Sequence, residues 1–228
     1  PSYFSKRSGF VINQLSGGGC EHMGNFPTFP VKGKLKMSPD NILNYRINVS
    51  EEKGHAGYYE AMVQEDIKAK LTVTERTGMA SYEYPADQQY GTIIIGGGIS
   101  ATPIEQAAIV ITAPNKCEGY AEGGNFCGLR TPYKVYFVAE FDTDAFETGT
   151  WKREELMPNT TFAEGEYSGV YFTFDVNKKK NIQYKIGVSY VSVENARENL
   201  KAENAEWDFQ KIQNQAEAKW NHYLGKIE

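Results

Sequence analysis

From residue 41 to residue 191, apolar and polar positions alternate in a succession of short segments. The clearest alternations cover residues 45–49, 67–73, 135–141, 170–176 and 182–190. Turn-forming stretches such as "EKGHAG", "TERTG" and "YPADQQYG" separate them. A period of two is the signature of a strand with one face in a core, so the pattern predicts roughly nine β-strands.

No helical period lies between neighbouring strands, so the strands are expected to pair antiparallel. Two packed sheets bury that many apolar faces most readily, which predicts a mainly β fold, an antiparallel β-sandwich. The run "GTIIIGGG" (Gly91–Gly98) favours a strand end beside a close-packed neighbour. A phosphate loop would need a helix directly after the glycines, and Pro103 stands in the way.

After Val191 the apolar positions recur every three or four residues, which predicts two helices. Ser192 is placed to cap the first helix and Asn204 the second. The inner face of the first helix is predicted to contain Val193, Ala196 and Leu200. The apolar stripe predicted for the second helix consists of Phe209, Ile212, Ala216, Trp220, Tyr223 or Leu224, and Ile227.

Composition narrows the function classes. The formal charge of −5 is spread along the chain without a basic stripe, so nucleic acid is not an expected partner. No apolar window approaches the length of a membrane span. Cys117 and Cys127 bracket the Gly-rich run "EGYAEGGNF", which is predicted to be a loop tip. The two thiols there are either bridged or free and partly buried, and their spacing does not suit a zinc site.

Carboxylates occur in the alternating segments or at their ends, for instance Glu60, Glu75, Glu140 and Asp142. Glu75 is expected to form a structural ion pair with Arg76 or another charge. The sequence context marks no two carboxylates as a catalytic acid and base, and there is no Ser-His-Asp order. His55 and His222 are predicted to be surface residues.

Five stretches of the sequence together carry a family resemblance. The most specific is "YVSVENARENLKAE" (Tyr190–Glu203), and it is supported by "AKLTVTERTGMASYEYP" (Ala69–Pro85), "YKVYFVAEFD" (Tyr133–Asp142), "GHAGYYEAMV" (Gly54–Val63) and the loop "LSGGGCEHMGNFPTFP" (Leu15–Pro30). These motifs resemble the N-terminal domain of glycoside hydrolase family 92, the calcium-dependent exo-α-mannosidases.

The resemblance implies a sandwich of the galactose-mutarotase-like supersandwich type over residues 1–191, lacking its first strands. Residues 192–228 would then be a helical linker toward an (α/α)6 catalytic barrel outside this chain. That barrel would carry the general acid, the general base and the Ca²⁺ ligands. No catalytic residue and no metal ligand is therefore expected in this chain, which should be inactive alone.

The best candidate for sugar contact is the loop from Asn13 to Asn25. Its glycines allow close backbone approach to a ligand, and its polar groups offer directional donors and acceptors. The predicted substrate-binding residues are Asn13, Gln14, Ser16, Cys20, Glu21 and His22. The alternative is a Gly-rich connection without a ligand.

The loop departs from the family at two positions. Many members have "SHTHLSG" where this chain has "VINQLSG", so Ile12 and Gln14 replace two His residues. The resemblance implies inverting hydrolysis of mannose-containing glycans such as N-glycans, most often at α-1,2 linkages. The departure leaves open the linkage and whether the mannosides carry phosphate.

Three functions remain in competition. The first is the sandwich domain of an exo-α-mannosidase, located outside the cytoplasm, periplasmic or secreted, in a bacterium. The second is an autonomous carbohydrate-binding module, and the third is a docking sandwich without a ligand. The helices discriminate, because an exposed apolar stripe on the second helix favours the first function.

Overall fold

The computed structural model describes residues 9–14, 22–40 and 48–226. Fourteen β-strands and two α-helices lie within these residues. The strands are β1 Thr28–Lys32, β2 Val49–His55, β3 Tyr58–Val63, β4 Ile67–Val73, β5 Thr77–Glu83, β6 Tyr90–Gly96, β7 Ile104–Ala113, β8 Lys116–Phe126, β9 Leu129–Phe141, β10 Glu147–Lys152, β11 Glu155–Pro158, β12 Phe162–Glu164, β13 Ser168–Asp175 and β14 Asn181–Ser189. The helices are α1 Val193–Glu203 and α2 Phe209–Leu224.

The strands form two sheets. The smaller sheet has the order β1-β6-β13-β10-β11, and the larger has the order β12-β7-β8-β9-β14-β5-β4-β3-β2. Neighbouring strands pair antiparallel in both sheets. The fold is the predicted β-sandwich, but the expected number of about nine strands was too low. The missed strands include β11 and β12, which are too short for alternation to reveal.

Aromatic side chains join the sheets in the core. The ring of Phe141 on β9 lies 4.7 Å from that of Phe172 and 5.1 Å from that of Phe174, both on β13. The isoleucines Ile93 and Ile95 of β6 are fully buried in the same core. The inward positions predicted for β9 are confirmed, and most of those predicted for β4, β13 and β14 also fill this core. The prediction was wrong at Val73 and Tyr190, which end their rows 42% and 53% exposed, and β13 is buried on both faces instead of one.

The glycine run after β6 is a strand end in close contact with the turn before β13. The backbone N–H groups of Gly97 and Gly98 both donate to the carbonyl oxygen of Ser168 at 2.9 Å. A Cβ on Gly98 would lie 1.9 Å from the Gly165 carbonyl oxygen, so no side chain fits there. The interpretation as a packed strand end, and not a phosphate loop, is confirmed.

The Gly-rich run between Cys117 and Cys127 is not a loop tip. It forms strand β8, and the hairpin turns afterwards at Cys127 and Gly128, whose φ angles of 53° and 82° suit a tight two-residue turn. Ten residues of extended chain separate the two cysteines by roughly 33 Å, far too much for a bridge. Cys117 is a buried free thiol, whereas Cys127 is disulfide-bonded. Cys20 lies outside the described residues.

Both helices pack on the outer face of the larger sheet. Ser192 caps α1 as predicted, its Oγ accepting from the Asn195 N–H at 3.0 Å. Ala196 and Leu200 of α1 are buried against Val138 of β9. The cap predicted for α2 was wrong: Asp208 accepts from the Lys211 N–H at 3.0 Å, and Asn204 instead ends α1.

The apolar stripe of α2 divides into two halves. Ile212 and Ala216 are buried, whereas Trp220, Tyr223 and Leu224 are 48%, 56% and 58% exposed. Ile227 lies outside the described residues. Neither α1 nor α2 is long and apolar enough to cross a membrane.

Candidate functional site

The predicted site residues fall into two groups. Asn13, Gln14 and His22 are described by the structure, whereas Ser16, Cys20 and Glu21 lie outside the described residues. Gln14 makes a backbone β-bridge with Met23, and its side chain is exposed. It is therefore not brought into the polar cluster that Asn13 enters.

Asn13 is held by a reciprocal pair of hydrogen bonds with Asn25. The Asn13 Oδ1 accepts from the Asn25 N–H at 2.8 Å, and the Asn13 Nδ2 donates to the Asn25 Oδ1 at 3.1 Å. The Gly24 N–H also donates to the Asn13 carbonyl at 3.2 Å. These bonds fix the two ends of the Gly-rich loop against each other.

Two tyrosines from the larger sheet complete this arrangement. The Tyr133 hydroxyl on β9 donates to the Asn25 Oδ1 at 2.7 Å. The Tyr190 hydroxyl, just beyond the end of β14, lies 3.4 Å from the Asn13 Nδ2. We call Asn13, Asn25, Tyr133 and Tyr190 the amide–tyrosine cluster. His22, which is buried, packs edge-on against Tyr133 with ring centroids 5.5 Å apart.

The cluster has a buried base and an exposed rim. Asn25 is fully buried, and its Nδ2 has no hydrogen-bond partner among the described residues. Tyr190 is 53% exposed, and Asn13 is partly exposed. Burial raises the pKa of Tyr133, so its phenol stays protonated and uncharged at neutral pH. The cluster can therefore offer neutral donors and acceptors together with an aromatic face, but no charge.

The four carboxylates named in the sequence analysis each form an ion pair with a lysine, away from the amide–tyrosine cluster. Glu60 lies 3.2 Å from the Lys68 Nζ, and Asp142 lies 2.7 Å from the Lys179 Nζ. Glu140 pairs with Lys116 at 3.0 Å. Glu75 pairs with Lys219 of α2, which confirms a structural ion pair with a charge other than Arg76.

The carboxylate of Glu60 is stabilised in its charged form. A hydrogen bond from the Tyr58 hydroxyl at 2.7 Å is the main reason that the pKa of Glu60 is lowered, and the Lys68 ammonium adds to it. Conversely, burial and this bond raise the pKa of Tyr58 to about 12. A glycosidase acid needs a raised pKa, so Glu60 is not suited to that role.

No three His, Cys, Asp or Glu side chains among residues 9–14, 22–40 and 48–226 are grouped so that they could hold a metal ion. His55 and His222 are exposed, as predicted.

The family model of the glycosyl hydrolase family 92 N-terminal domain matches residues 3–189, well over half of the chain. The chain belongs to glycoside hydrolase family 92. The resemblance seen in the sequence motifs is thereby confirmed.

Similar proteins of known structure come from the same family. An inverting family-92 mannosidase from Bacteroides thetaiotaomicron has a TM-score of 0.77 and 25% identity, covering 89% of this chain and 27% of its own. A family-92 α-mannosidase from the same organism has a TM-score of 0.83 and 25% identity, covering 96% of this chain and 31% of its own.

A curated relative is described as an uncharacterized secreted glycosidase of Arthroderma benhamiae. It is 24% identical over 98% of this chain and 32% of its own length. The chain thus spans about a third of the length of the relatives that it matches.

Sequence reasoning missed three of the four residues in the amide–tyrosine cluster of this family-92 domain. Asn25 closes the predicted loop, but nothing in its neighbours marks it as a buried hub. Tyr133 lies two residues before the first inward-facing apolar residue of β9, and Tyr190 lies two residues after the last one of β14, so both belong to the same alternating rows. A tyrosine at the end of a row of otherwise apolar, inward-facing residues was the signal in the sequence that could have identified them as site residues.

Proposed function

We propose that this chain is the N-terminal domain of an inverting exo-α-mannosidase, in which it supplies sugar contacts and not proton transfers. The observation that carries the proposal is the neutral amide–tyrosine cluster in a domain of glycoside hydrolase family 92. Similar family members are described as an inverting mannosidase and as an α-mannosidase.

The division of labour follows from the chemistry of inversion. One carboxylic acid must protonate the leaving oxygen while a carboxylate across the ring activates a water. The carboxylates Glu60, Glu140 and Asp142 are each held by a lysine, and none of them belongs to the cluster. The proton transfers are therefore assigned to the rest of the polypeptide.

The members of the cluster have different proposed roles. Tyr190 and Asn13 form the exposed rim, where the tyrosine ring can stack on a sugar and the amide can bond a hydroxyl. Asn25, Tyr133 and His22 form the buried support that fixes the orientation of this rim. Gln14, Ser16, Cys20 and Glu21 remain predicted contacts from the same loop.

The finer assignments rest on the family. We propose mannose-containing glycans as substrates, with α-1,2 linkages as the first to test because they are the commonest in this family. Ile12 and Gln14, which stand where many members have His, are the positions most suited to change that preference. The calcium ion that the resemblance implies for the whole enzyme is proposed to bind in the remainder of the polypeptide.

We place the protein outside the cytoplasm. A disulfide at Cys127 persists only in an oxidising compartment in most organisms. The similar fungal protein is described as secreted, which supports the same location.

The alternative function is an autonomous carbohydrate-binding module. It is favoured by the fact that Asn13, Asn25, Tyr133 and Tyr190 all come from this one chain. Calorimetry of the isolated chain with mannose and α-1,2-mannobiose separates the two functions. Clear saturable binding by the isolated chain would favour the module.

The decisive assay uses the full-length polypeptide with α-1,2-mannobiose and compares it with the 228-residue chain. Only the full-length polypeptide should release mannose. In that polypeptide, Tyr190→Ala should lower kcat/KM about tenfold, mainly through KM, because a binding contact worth roughly 1.4 kcal/mol is lost.

Tyr167→Ala is the matched control, because Tyr167 is also a half-exposed tyrosine but belongs to the turn before β13. It should leave both constants unchanged. Hydrolysis by the isolated chain, or no mannoside hydrolysis by the full-length polypeptide, would contradict the proposal.

A further inference from the structure

The β8–β9 hairpin extends past the amide–tyrosine cluster and is held in place at its end. Tyr133, the cluster residue of β9, pairs with Gly123 of β8, and the two strands continue from there to the turn that begins at Cys127. Near that turn, the Arg130 guanidinium donates to both carboxylate oxygens of Glu105 on β7, at 2.9 and 3.2 Å. The tip of the hairpin is therefore anchored to a third strand of the larger sheet.

The three cysteines of the chain are not equivalent. Cys117 is a free thiol that is completely buried on β8, and burial raises its pKa, so that it stays protonated at neutral pH. Cys127, in the hairpin turn, is disulfide-bonded, and the free Cys117 is not its partner. The remaining cysteine of the sequence is Cys20, in the Gly-rich loop and outside the described residues.

We infer that Cys127 forms its disulfide with Cys20, and that this bond fastens the Gly-rich loop to the tip of the β8–β9 hairpin. The inference deepens the proposed function and rests on it, because its consequence concerns the sugar contacts of that loop. It gives Cys20 a role other than the direct sugar contact predicted from the sequence, since a bonded sulfur has no S–H to donate.

The positions of the described residues permit this bond. His22, two residues after Cys20, packs against Tyr133 with ring centroids 5.5 Å apart. From Gly123, opposite Tyr133, four residues of strand lead to Cys127, a distance of about 13 Å. Two residues of chain span up to about 7 Å, and the Cα atoms of a disulfide lie up to about 7 Å apart, so chain and bond together can cover a distance of this size.

The chemistry of the bond suits the location proposed for the protein. The two thiols give up two protons and two electrons to a disulfide-bearing oxidant as the S–S bond forms, and the oxidant is reduced to its dithiol. Oxidants of this class act in compartments outside the cytoplasm.

A second attachment should prepare the loop for sugar binding. The β-bridge between Gln14 and Met23 closes the base of the loop. The sequence between them contains three consecutive glycines, residues 17–19, and glycine loses more conformational freedom than any other residue when it is ordered. A bond from Cys20 to the anchored hairpin removes part of that freedom before the sugar arrives, so less affinity is lost on binding.

Disulfide mapping of the full-length polypeptide tests the pairing. Free thiols are blocked with N-ethylmaleimide in denaturant, and the protein is cut with Glu-C protease, which cleaves after Glu118 and Glu122 and so separates Cys117 from Cys127. Mass spectrometry should find the Cys127 peptide linked to the Cys20 peptide, and the Cys117 peptide carrying the maleimide. A Cys127 that is blocked, or linked to another cysteine or to a second chain, would overturn the inference.

Kinetics of the full-length polypeptide with α-1,2-mannobiose test the consequence. Cys127→Ser should raise KM about fivefold with kcat nearly unchanged, because the loop loses an attachment while the proton-transfer groups lie elsewhere. Cys20→Ser should have the same effect, and the double variant should be no worse than either single variant, because all three lack the same bond. If Cys20 contacted the sugar through its own thiol, Cys127→Ser would leave KM unchanged, and this result would overturn the inferred role.

Two controls accompany the variants. Cys117→Ala removes a thiol from the same hairpin without breaking a disulfide, so KM should stay at the wild-type value. Reduction of the folded wild type needs no substitution: the S–S bond takes two protons and two electrons from dithiothreitol, which becomes its cyclic disulfide. KM should then rise as in Cys127→Ser, and dithiothreitol should not change the KM of Cys127→Ser itself.

Failure of this inference and failure of the proposed function give different results. A polypeptide that contains the bond between Cys20 and Cys127 but hydrolyses no mannoside would overturn the proposed function and leave the pairing in place. An active mannosidase in which Cys127 is free or bonded elsewhere would overturn only the inference.

Discussion

The contacts that hold the two helices and the amide–tyrosine cluster are two polar networks at different places on the larger sheet. The first, which we call the helix clamp, consists of Lys185, Glu203 and their partners and is charged: the Lys185 Nζ donates to the Asn204 and Ala205 carbonyls, and Glu203 accepts from Thr74 and Arg76. The amide–tyrosine cluster is neutral, and the Nδ2 of its central residue, Asn25, has no hydrogen-bond partner among the described residues. The charged groups of the clamp are paired within the domain, although the side-chain amide of Asn204 beside them has no partner among the described residues, whereas the Asn25 donor group in the cluster is itself unpaired.

This difference gives the two networks different roles: the clamp stabilises the fold, and the cluster is suited to bind a ligand. A charged group buried in a protein is tolerated when its partners are complete, and it then fixes one arrangement of the chain. A neutral network with a spare donor and an exposed tyrosine is suited to a polar ligand without charge, such as a sugar. Variants in the clamp should therefore change stability, and variants at the rim of the cluster should change binding.

The largest effect is expected at Lys185. Lys185→Ala leaves the carbonyls of Asn204 and Ala205 without their donor and removes the packing beneath Trp207. We expect a loss of about 3 kcal/mol in the free energy of unfolding, measured by urea denaturation. Lys178→Ala, at an 83% exposed turn residue, is the control and should change it by less than about 0.5 kcal/mol.

Lys185→Met refines this experiment. The Met side chain restores most of the packing without the hydrogen-bond donors. The free energy of unfolding of Lys185→Met should therefore lie between those of the wild type and Lys185→Ala. A Lys185→Ala protein as stable as the wild type would mean that the clamp does not hold the helices.

The next largest effect is expected at Glu203. Glu203→Ala removes the acceptor of the Thr74 hydroxyl and of the Arg76 N–H, for a loss of about 2 kcal/mol. Glu198→Ala, on the exposed side of the same helix, is the control. If both variants lose the same stability, the effect comes from helix propensity and not from the clamp.

Acidification should weaken the same contacts. Burial alone would raise the pKa of Glu203, but hydrogen bonds from Thr74 and Arg76 outweigh it and lower the pKa below the ordinary 4.5. The stabilisation is therefore present above pH 4.5 and is lost as the pH falls through the lower, folded-state value. The stability difference between wild type and Glu203→Gln should shrink over that range, and a constant difference would contradict this assignment.

The fold was largely predictable from the sequence because patterns among residues close together in the chain determine most of its strands and helices. Alternation in β4, β9, β13 and β14 reports which residues face the core, and Ser192 marks the start of α1 through its own side chain. Errors arose where long-range contacts decide. β8 was predicted as a loop because it is rich in glycine. In the structure the glycines serve a strand instead, because they leave room for the neighbouring backbone: at Gly119 a Cβ would lie 2.1 Å from the Ala108 carbonyl oxygen.

The site was less predictable for the same reason. Asn13 was recognised because it lies in a polar, Gly-rich stretch. Tyr190, which contacts Asn13, and Tyr133, which donates to Asn25, are each separated from their partner by more than a hundred residues and meet it only when β9 and β14 pair. Periodicity places them on the inward face, but it does not say which inward residue at the end of a strand meets the loop.

The smallest changes in stability are expected within the amide–tyrosine cluster. Two variants compare its buried base with its exposed rim. Tyr133→Phe removes the 2.7 Å bond to the buried Asn25, so it should lower the free energy of unfolding by about 1 kcal/mol. Tyr190→Phe removes a 3.4 Å contact with the Asn13 Nδ2 and a weak 3.6 Å bond to the Met23 Sδ at a 53% exposed residue, and it should cost less than about 0.5 kcal/mol. Thermal unfolding of the two variants side by side measures the difference. Equal losses would make Tyr190 part of the structural base, and the assignment of the rim to sugar binding would then lose its support.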